Sequence, residues 1–305
     1  RQSATGLSAM LPPLSLYVHL PWCLQKCPYC DFNSHALDRL PDGQIPEAAY
    51  IEALLADLRG QWVRWGGGRD LHSIFIGGGT PSLFSGAAIR ALLDGIRATC
   101  PLSRDCEITL EANPGAVEAE RFADYRAAGV NRLSIGVQSL SAQHLRALGR
   151  VHGPEEALAA VATARTVGFE RLNLDLMFGL PEQDLMQARE DLAKVIALAP
   201  GHLSWYQLTL EPNTAFAVRP PSVPDEDLLA EMQLQGETML AEAGYGRYEV
   251  SAYAGRDGPC RHNLNYWHFG DYLGIGAGAH AKATLISGEV WRFSRPRHPR
   301  DYLAQ

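Results

Sequence analysis

Residues 21–31 read PWCLQKCPYCD and set Cys23, Cys27 and Cys30 at C-x-x-x-C-x-x-C spacing in one short loop. Three thiolates are too many for one disulfide and one short of a closed tetrahedral zinc site, which takes four ligands. His19 or His35 is the fourth ligand in a zinc reading. An iron–sulfur cluster on three thiolates instead leaves one iron open to another ligand. The spacing favours the cluster, with zinc as the alternative. Of the six cysteines, Cys100 and Cys106 read as small buried or edge residues.

The 305-residue chain is 46% hydrophobic, enough for a sizeable core. A net charge of −7, from 27 basic and 34 acidic residues, argues against a broad nucleic-acid or anionic-membrane surface. No nucleic-acid partner is therefore expected. No apolar run approaches the ~18 residues of a membrane span, and the opening RQSATGLSAM lacks the apolar core of a signal peptide. A cytoplasmic setting, where clustered cysteines more often bind metal than pair, follows as an expectation. Position 1 is Arg, and Met10 is the expected natural start.

Outward from the cysteine loop, apolar strand-like runs alternate with amphipathic helical ones. The expected strands are 16–20, 72–76, 107–110, 132–135, 172–177 and 203–208. The expected helices are 47–64, 87–98, 118–128, 141–148, 154–167 and 185–198. Six βα repeats with mostly unbroken apolar strands imply a parallel sheet covered by helices. After Glu211 the chain turns Pro-rich, then helical over 225–243, then rich in Gly and aromatics; DYLGIGAGAH (271–280) reads as a structural loop.

In such sheets ligands bind at the C-terminal ends of the strands. The cysteine loop follows the first strand. Gly77-Gly78-Gly79-Thr80-Pro81 follows the second, Glu111-Ala-Asn-Pro114 the third, and Gly136-Val-Gln138 the fourth. Asp175 and Gly179-Leu-Pro181 end the fifth. Each loop alone has a bland reading, as a tight turn or a solvated acid. Five on one face point to a single site.

The C-x-x-x-C-x-x-C loop, with Tyr29 before its last cysteine, resembles the radical S-adenosylmethionine (SAM) superfamily. GGGTPS, EANP, GVQS and LDLMFGLP, in that order, resemble the subgroup around oxygen-independent coproporphyrinogen III oxidase, from about Leu14 to Tyr302. The resemblance implies an α/β fold: a partial (βα)6 TIM-like barrel over 14–212, with a C-terminal α+β extension over 213–305. That extension is expected to be incomplete, because the family continues beyond the point where this chain stops. The implied cofactors are a 4Fe–4S cluster on Cys23, Cys27 and Cys30, and SAM chelating the open iron. The implied cofactor contacts are Tyr17, Tyr29, Gly78, Gly79, Thr80, Glu111, Gln138, Arg150 and Asp175. Arg150 suits a carboxylate, and Asp175 a ribose hydroxyl or amino group. The cofactor would carry the radical chemistry, by cleavage of SAM, while the barrel positions and shields it.

Two functions compete within this subgroup. The decarboxylating oxidases carry a fourth cysteine two residues after the third; here that place holds Phe32. They also have a longer lead-in before the first strand. His262–Trp267 reads HNLNYW, the H-N-x-x-Y-W motif of HemW-type haem chaperones. The resemblance therefore implies haem as a third cofactor, bound through His262, Asn263, Tyr266 and Trp267. His262 is the expected axial ligand; His268 and His280 are weaker candidates, and a Cys260 thiolate is the alternative. The implied partners are haem, respiratory membrane proteins as haem acceptors, a bacterioferritin-like donor and a second copy in a homodimer, with peripheral membrane contact during transfer. Coproporphyrinogen oxidase activity is not expected. A radical SAM oxidoreductase acting on a tetrapyrrole is the alternative function.

Overall fold

The computed structural model describes residues 11–40 and 42–305; Met10 lies outside the described residues. Its strands in chain order are β1 (Leu14–Leu20), β2 (Trp22–Cys23), β3 (His35–Ala36), β4 (Leu71–Gly78) and β5 (Leu102–Ala112). They continue with β6 (Arg132–Gln138), β7 (Arg171–Phe178), β8 (His202–Gln207), β9 (Gly246–Arg247) and β10 (Ala252–Ala254). Three more close the series: β11 (Asp271–Ile275), β12 (His280–Thr284) and β13 (Val290–Ser294).

Eleven of these form one sheet in the order β13-β12-β11-β1-β4-β5-β6-β7-β8-β10-β9. From β11 through β8 every pairing is parallel. The pairs beyond β11 and β8 are antiparallel. The parallel arc ends on antiparallel strands at both sides without closing, which is the partial barrel that the loop motifs imply. Its strands are buried on both faces, β6 throughout its length, because helices cover one side and inward side chains fill the other. Polar caps start several helices. Ser85 accepts from Ala88 N, Ser141 from His144 N, Asp184 from Gln187 N and Asp225 from Leu228 N.

The structure departs from the sequence reading in several places. The stretch 271–280 is not a loop: Asp271–Ile275 is β11, paired parallel with β1 from Leu14↔Asp271 to Val18↔Ile275. A buried charge and a run of glycines hide that strand from hydrophobic patterning. Gly274 is required there, since a Cβ would come within 2.0 Å of the His280 carbonyl oxygen. The expected helix 118–128 is two short helices, Ala116–Glu120 and Phe122–Ala128, joined at Arg121. The third strand is longer than its apolar core, because Leu102–Cys106 continues the pairing edge.

The extension is fastened to the barrel at the start of β11. Asp271 is fully buried and accepts from Arg69 at 2.7 Å and Lys282 at 2.9 Å. Thr284 adds its backbone N–H and hydroxyl, each at 2.8 Å.

Candidate functional site

The cysteine loop leaves β1 and is pinched at its base by β2 and β3, which pair Trp22 with His35 and Cys23 with Ala36. Inside it, Cys30 N donates to Cys27 O at 3.1 Å and Ser34 N to Phe32 O at 2.7 Å. His19 is not a free ligand. Its Nε2–H donates to the Asn33 carbonyl at 2.8 Å, leaving Nδ1 to accept from the Tyr17 hydroxyl at 3.0 Å. Burial keeps this imidazole neutral by lowering its pKa. His35 packs edge-on against His298, with ring centroids 5.3 Å apart.

The loop roofs a cavity of about 320 Å³ at the C-terminal rim of the parallel strands. Cys23, Cys27 and Cys30 all line it, with Tyr29, Gly78, Gly79, Thr80, Glu111, Gln138, Arg150 and Asp175. Five loops far apart in sequence thus converge as their positions at strand ends require. Among the described residues no three His, Cys, Asp or Glu side chains gather on one point to hold a single metal ion. In a four-iron cluster each thiolate binds a different iron, so sulfurs spread around one cavity wall fit a cluster better than a single zinc ion.

The second strand's end is built for close approach. A Cβ on Gly79 would lie 2.5 Å from the Trp22 carbonyl oxygen, and Gly78 has φ +119°. Glu111 points beneath these glycines and accepts from Gly78 N at 3.2 Å. Burial, and secondly the nearby Asp175, push its carboxyl up to about 8. Burial also raises Asp175, whose oxygens accept from Asn173 at 2.7 Å and Ser134 at 3.5 Å. Gln138 sits in the left-handed region at φ +65° and accepts from the Tyr206 hydroxyl at 2.8 Å. Such backbone strain at a non-glycine residue fits a functional site.

Arg150 crosses the cavity. Nη1 lies 3.7 Å from Cys27 Sγ; Nη2 donates to Asn113 Oδ1 at 2.8 Å and to the Gly136 carbonyl at 3.0 Å. Its Nε is buried with no partner. A guanidinium with spare donor capacity, beside buried carboxylates and three thiols, fits an ammonium- and carboxylate-bearing ligand seated on a cluster. Asn113, Ser134 and Tyr206 also line this cavity, though the sequence reading did not single them out. Asn113 had a signal, as it stands inside EANP. Tyr206 had none beyond strand alternation.

The HNLNYW segment lies elsewhere. It forms the helix Arg261–Trp267, packed against β1 and β4. His262 is buried, with Nδ1 3.2 Å from Ser73 Oγ and Nε2 2.9 Å from the Tyr266 hydroxyl. Burial pulls its pKa down to about 3, so it is neutral and engaged at both nitrogens. Asn263 donates to the Tyr248 hydroxyl at 3.3 Å, and Trp267 is half exposed. Cys260 is buried, its thiol donating to Glu107 Oε1 at 3.3 Å, which removes it from any surface role. His268 and His280 are exposed. Tyr266 and Tyr17 line a second cavity of about 640 Å³, which shares Gly78, Glu111 and Phe32 with the first.

Comparison with known proteins matches residues 17–195 to the radical SAM superfamily. The chain is 57% identical to the haem chaperone HemW of Escherichia coli K12 over 293 residues, covering 96% of this chain and 76% of that protein. It is 55% identical to HemW of Haemophilus influenzae over 296 residues, with the same coverage. Among solved structures, the coproporphyrinogen III oxidase HemN of Escherichia coli, described as a radical SAM enzyme, superposes with a TM-score of 0.75 at 25% identity. That alignment covers 96% of this chain and 75% of the other. Among the described residues no helix is long and apolar enough to cross a membrane.

Proposed function

We propose, from the premise that this chain belongs to the radical SAM superfamily and within it to the HemW haem-chaperone family, that it binds haem beside a cluster-and-SAM site and delivers it to respiratory haem proteins. The observation that carries this reading is the adjacency of two cavities. One is lined by thiols, carboxylates and Arg150; the other is lined by Tyr17, Tyr266 and Tyr272, from β1, the HNLNYW helix and β11. They share one wall.

Cys23, Cys27 and Cys30 would hold the 4Fe–4S cluster. When bound, the cluster supplies an electron to SAM. Arg150 would pair with the SAM carboxylate, Glu111 and Asp175 would receive its amino and hydroxyl groups, and Gly78 and Gly79 admit it against bare backbone. Thr80, Gln138, Tyr29 and Tyr206 complete the wall. The helix Arg261–Trp267, through Tyr266 and the half-exposed Trp267, supplies the haem-facing surface. Donor, acceptor and copy number belong to the same reading: a bacterioferritin-like donor, respiratory membrane acceptors met peripherally from the cytoplasm, and a homodimer.

The experiment is haem transfer. Protein loaded with one equivalent of haemin is mixed with an apo haem acceptor, and the acceptor's spectrum is followed with and without SAM. Transfer supports the chaperone reading. No transfer, together with turnover of coproporphyrinogen III matched by 5′-deoxyadenosine, would replace it with the oxidoreductase reading, which the fold shared with HemN favours.

A further inference from the structure

The second cavity has a composition of its own. Tyr17, Tyr266 and Tyr272 give it aromatic walls, and Phe32 stands at its junction with the first cavity. Phe32 is 61% exposed, so no packing requirement accounts for a large ring at this position. Arg295 and Arg297 supply cationic donors. Arg295 is paired with Asp57, while the Arg297 guanidinium makes no ion pair among the described residues. Arg297 also lines the adjoining cavity, where Lys26 and Arg39 are set against Asp31 and Glu211. The acid, Glu111, faces the cavity from the wall shared with the cluster site.

Aromatic faces, the Arg297 guanidinium at one edge and an acid on the other wall suit a flat apolar macrocycle whose carboxylates all leave from one side. A cavity of this size lies in the ordinary range for such ligands. Two histidines line this cavity, His19 and His280, and His262 of the motif helix is not among its lining residues. His19 is held at both ring nitrogens, by Tyr17 and Asn33. His262 is buried, and both ring nitrogens are held, by Ser73 and Tyr266. Ligation by His262 would break a bond and strand the Tyr266 hydroxyl or the Ser73 hydroxyl. His280, at the start of β12, is exposed, lines the cavity and has no side-chain hydrogen bond among the described residues.

We propose that haem sits in this second cavity with its ring against Phe32 and Tyr266, its propionates toward Arg297 and its iron on His280. His262 is then a positioning residue that holds Tyr266. This assignment rests on the haem-binding reading given above.

The test titrates haemin, and separately its dimethyl ester, into the cluster-reconstituted full chain. The variants are His280→Ala, Arg297→Gln and His262→Gln, each checked for unchanged iron content. His280→Ala should shift the Soret maximum and weaken haemin binding at least tenfold, and added imidazole should restore the spectrum. Arg297→Gln should weaken haemin about tenfold, the loss of one charge-assisted contact, and leave the dimethyl ester unaffected. His262→Gln should weaken binding without moving the Soret maximum. Binding that shifts its spectrum in His262→Gln and not in His280→Ala overturns the ligand assignment. An Arg297→Gln effect that is absent, or equal for haemin and its ester, overturns the propionate assignment. Wild-type protein that takes up no stoichiometric haemin overturns the haem-binding reading itself, and this site with it.

Discussion

Arg150 Nη1 lies 3.7 Å from the Cys27 sulfur while the same guanidinium holds Asn113 Oδ1 at 2.8 Å. One cation therefore links the cluster loop to the end of the third parallel strand, with its Nε buried and unpartnered. Arg150→Gln keeps size and polarity but removes the charge. SAM affinity should fall about tenfold or more, the usual worth of a charge-assisted pair, with iron content unchanged. Equilibrium dialysis on reconstituted protein reads this. Equal SAM affinity in the variant would remove Arg150 from the site.

Glu111 makes stability depend on pH. Burial, then Asp175, raise its folded pKa to about 8, whereas an unfolded glutamate titrates near ~4.3. Across that window the folded state holds the extra proton. Its contribution is complete below ~4.3 and is lost as pH rises toward about 8, by up to ~1.4 kcal/mol per pH unit. Urea unfolding at pH 5.5 and pH 8, without SAM, should show a steeper decline in wild type than in Glu111→Gln. Parallel declines would contradict the buried neutral acid.

Asp271 works in the opposite direction. Burial alone would raise its carboxyl, but hydrogen bonds from Arg69, Lys282 and Thr284 outweigh burial and hold it below the ordinary value. Its contribution is present at neutral pH and lost as pH falls through the lowered pKa. Asp271→Ala strands two buried cations and should cost about 3–5 kcal/mol. Thermal unfolding at pH 7 checks this, and a change under 1 kcal/mol would contradict it.

Gly79 is required by the close passage of Trp22. Gly79→Ala puts a Cβ 2.5 Å from the Trp22 carbonyl oxygen, and should cost about 1–3 kcal/mol of stability as an overpacking change. SAM binding should also fall, because Gly79 lines the same cavity. Thermal melts and dialysis on one preparation read both effects.

The rim of this site was legible in the sequence because strand ends place their residues on one face whatever the packing. Glycines, acids and cysteines at those ends read directly as a ligand site. β11 was not legible, since its buried charge Asp271 finds partners only in three dimensions, at Arg69 and Lys282. The environment of His262 was hidden for the same reason: Ser73, which holds its Nδ1, lies 189 residues away. The motif drew attention to residues 262–267 but gave neither their helical form nor which of the side chains faces a cavity.

The central claim is that the three clustered cysteines hold iron beside a haem site. It is tested most directly by quantifying iron, sulfide, zinc and haem on one anaerobically reconstituted, haemin-treated sample. Wild type should hold about four non-haem iron and four sulfide, with stoichiometric haem and no zinc. Cys23→Ser should lose the cluster, and Cys100→Ser should keep it. Zinc in place of iron, or iron unaffected by Cys23→Ser, would contradict the account.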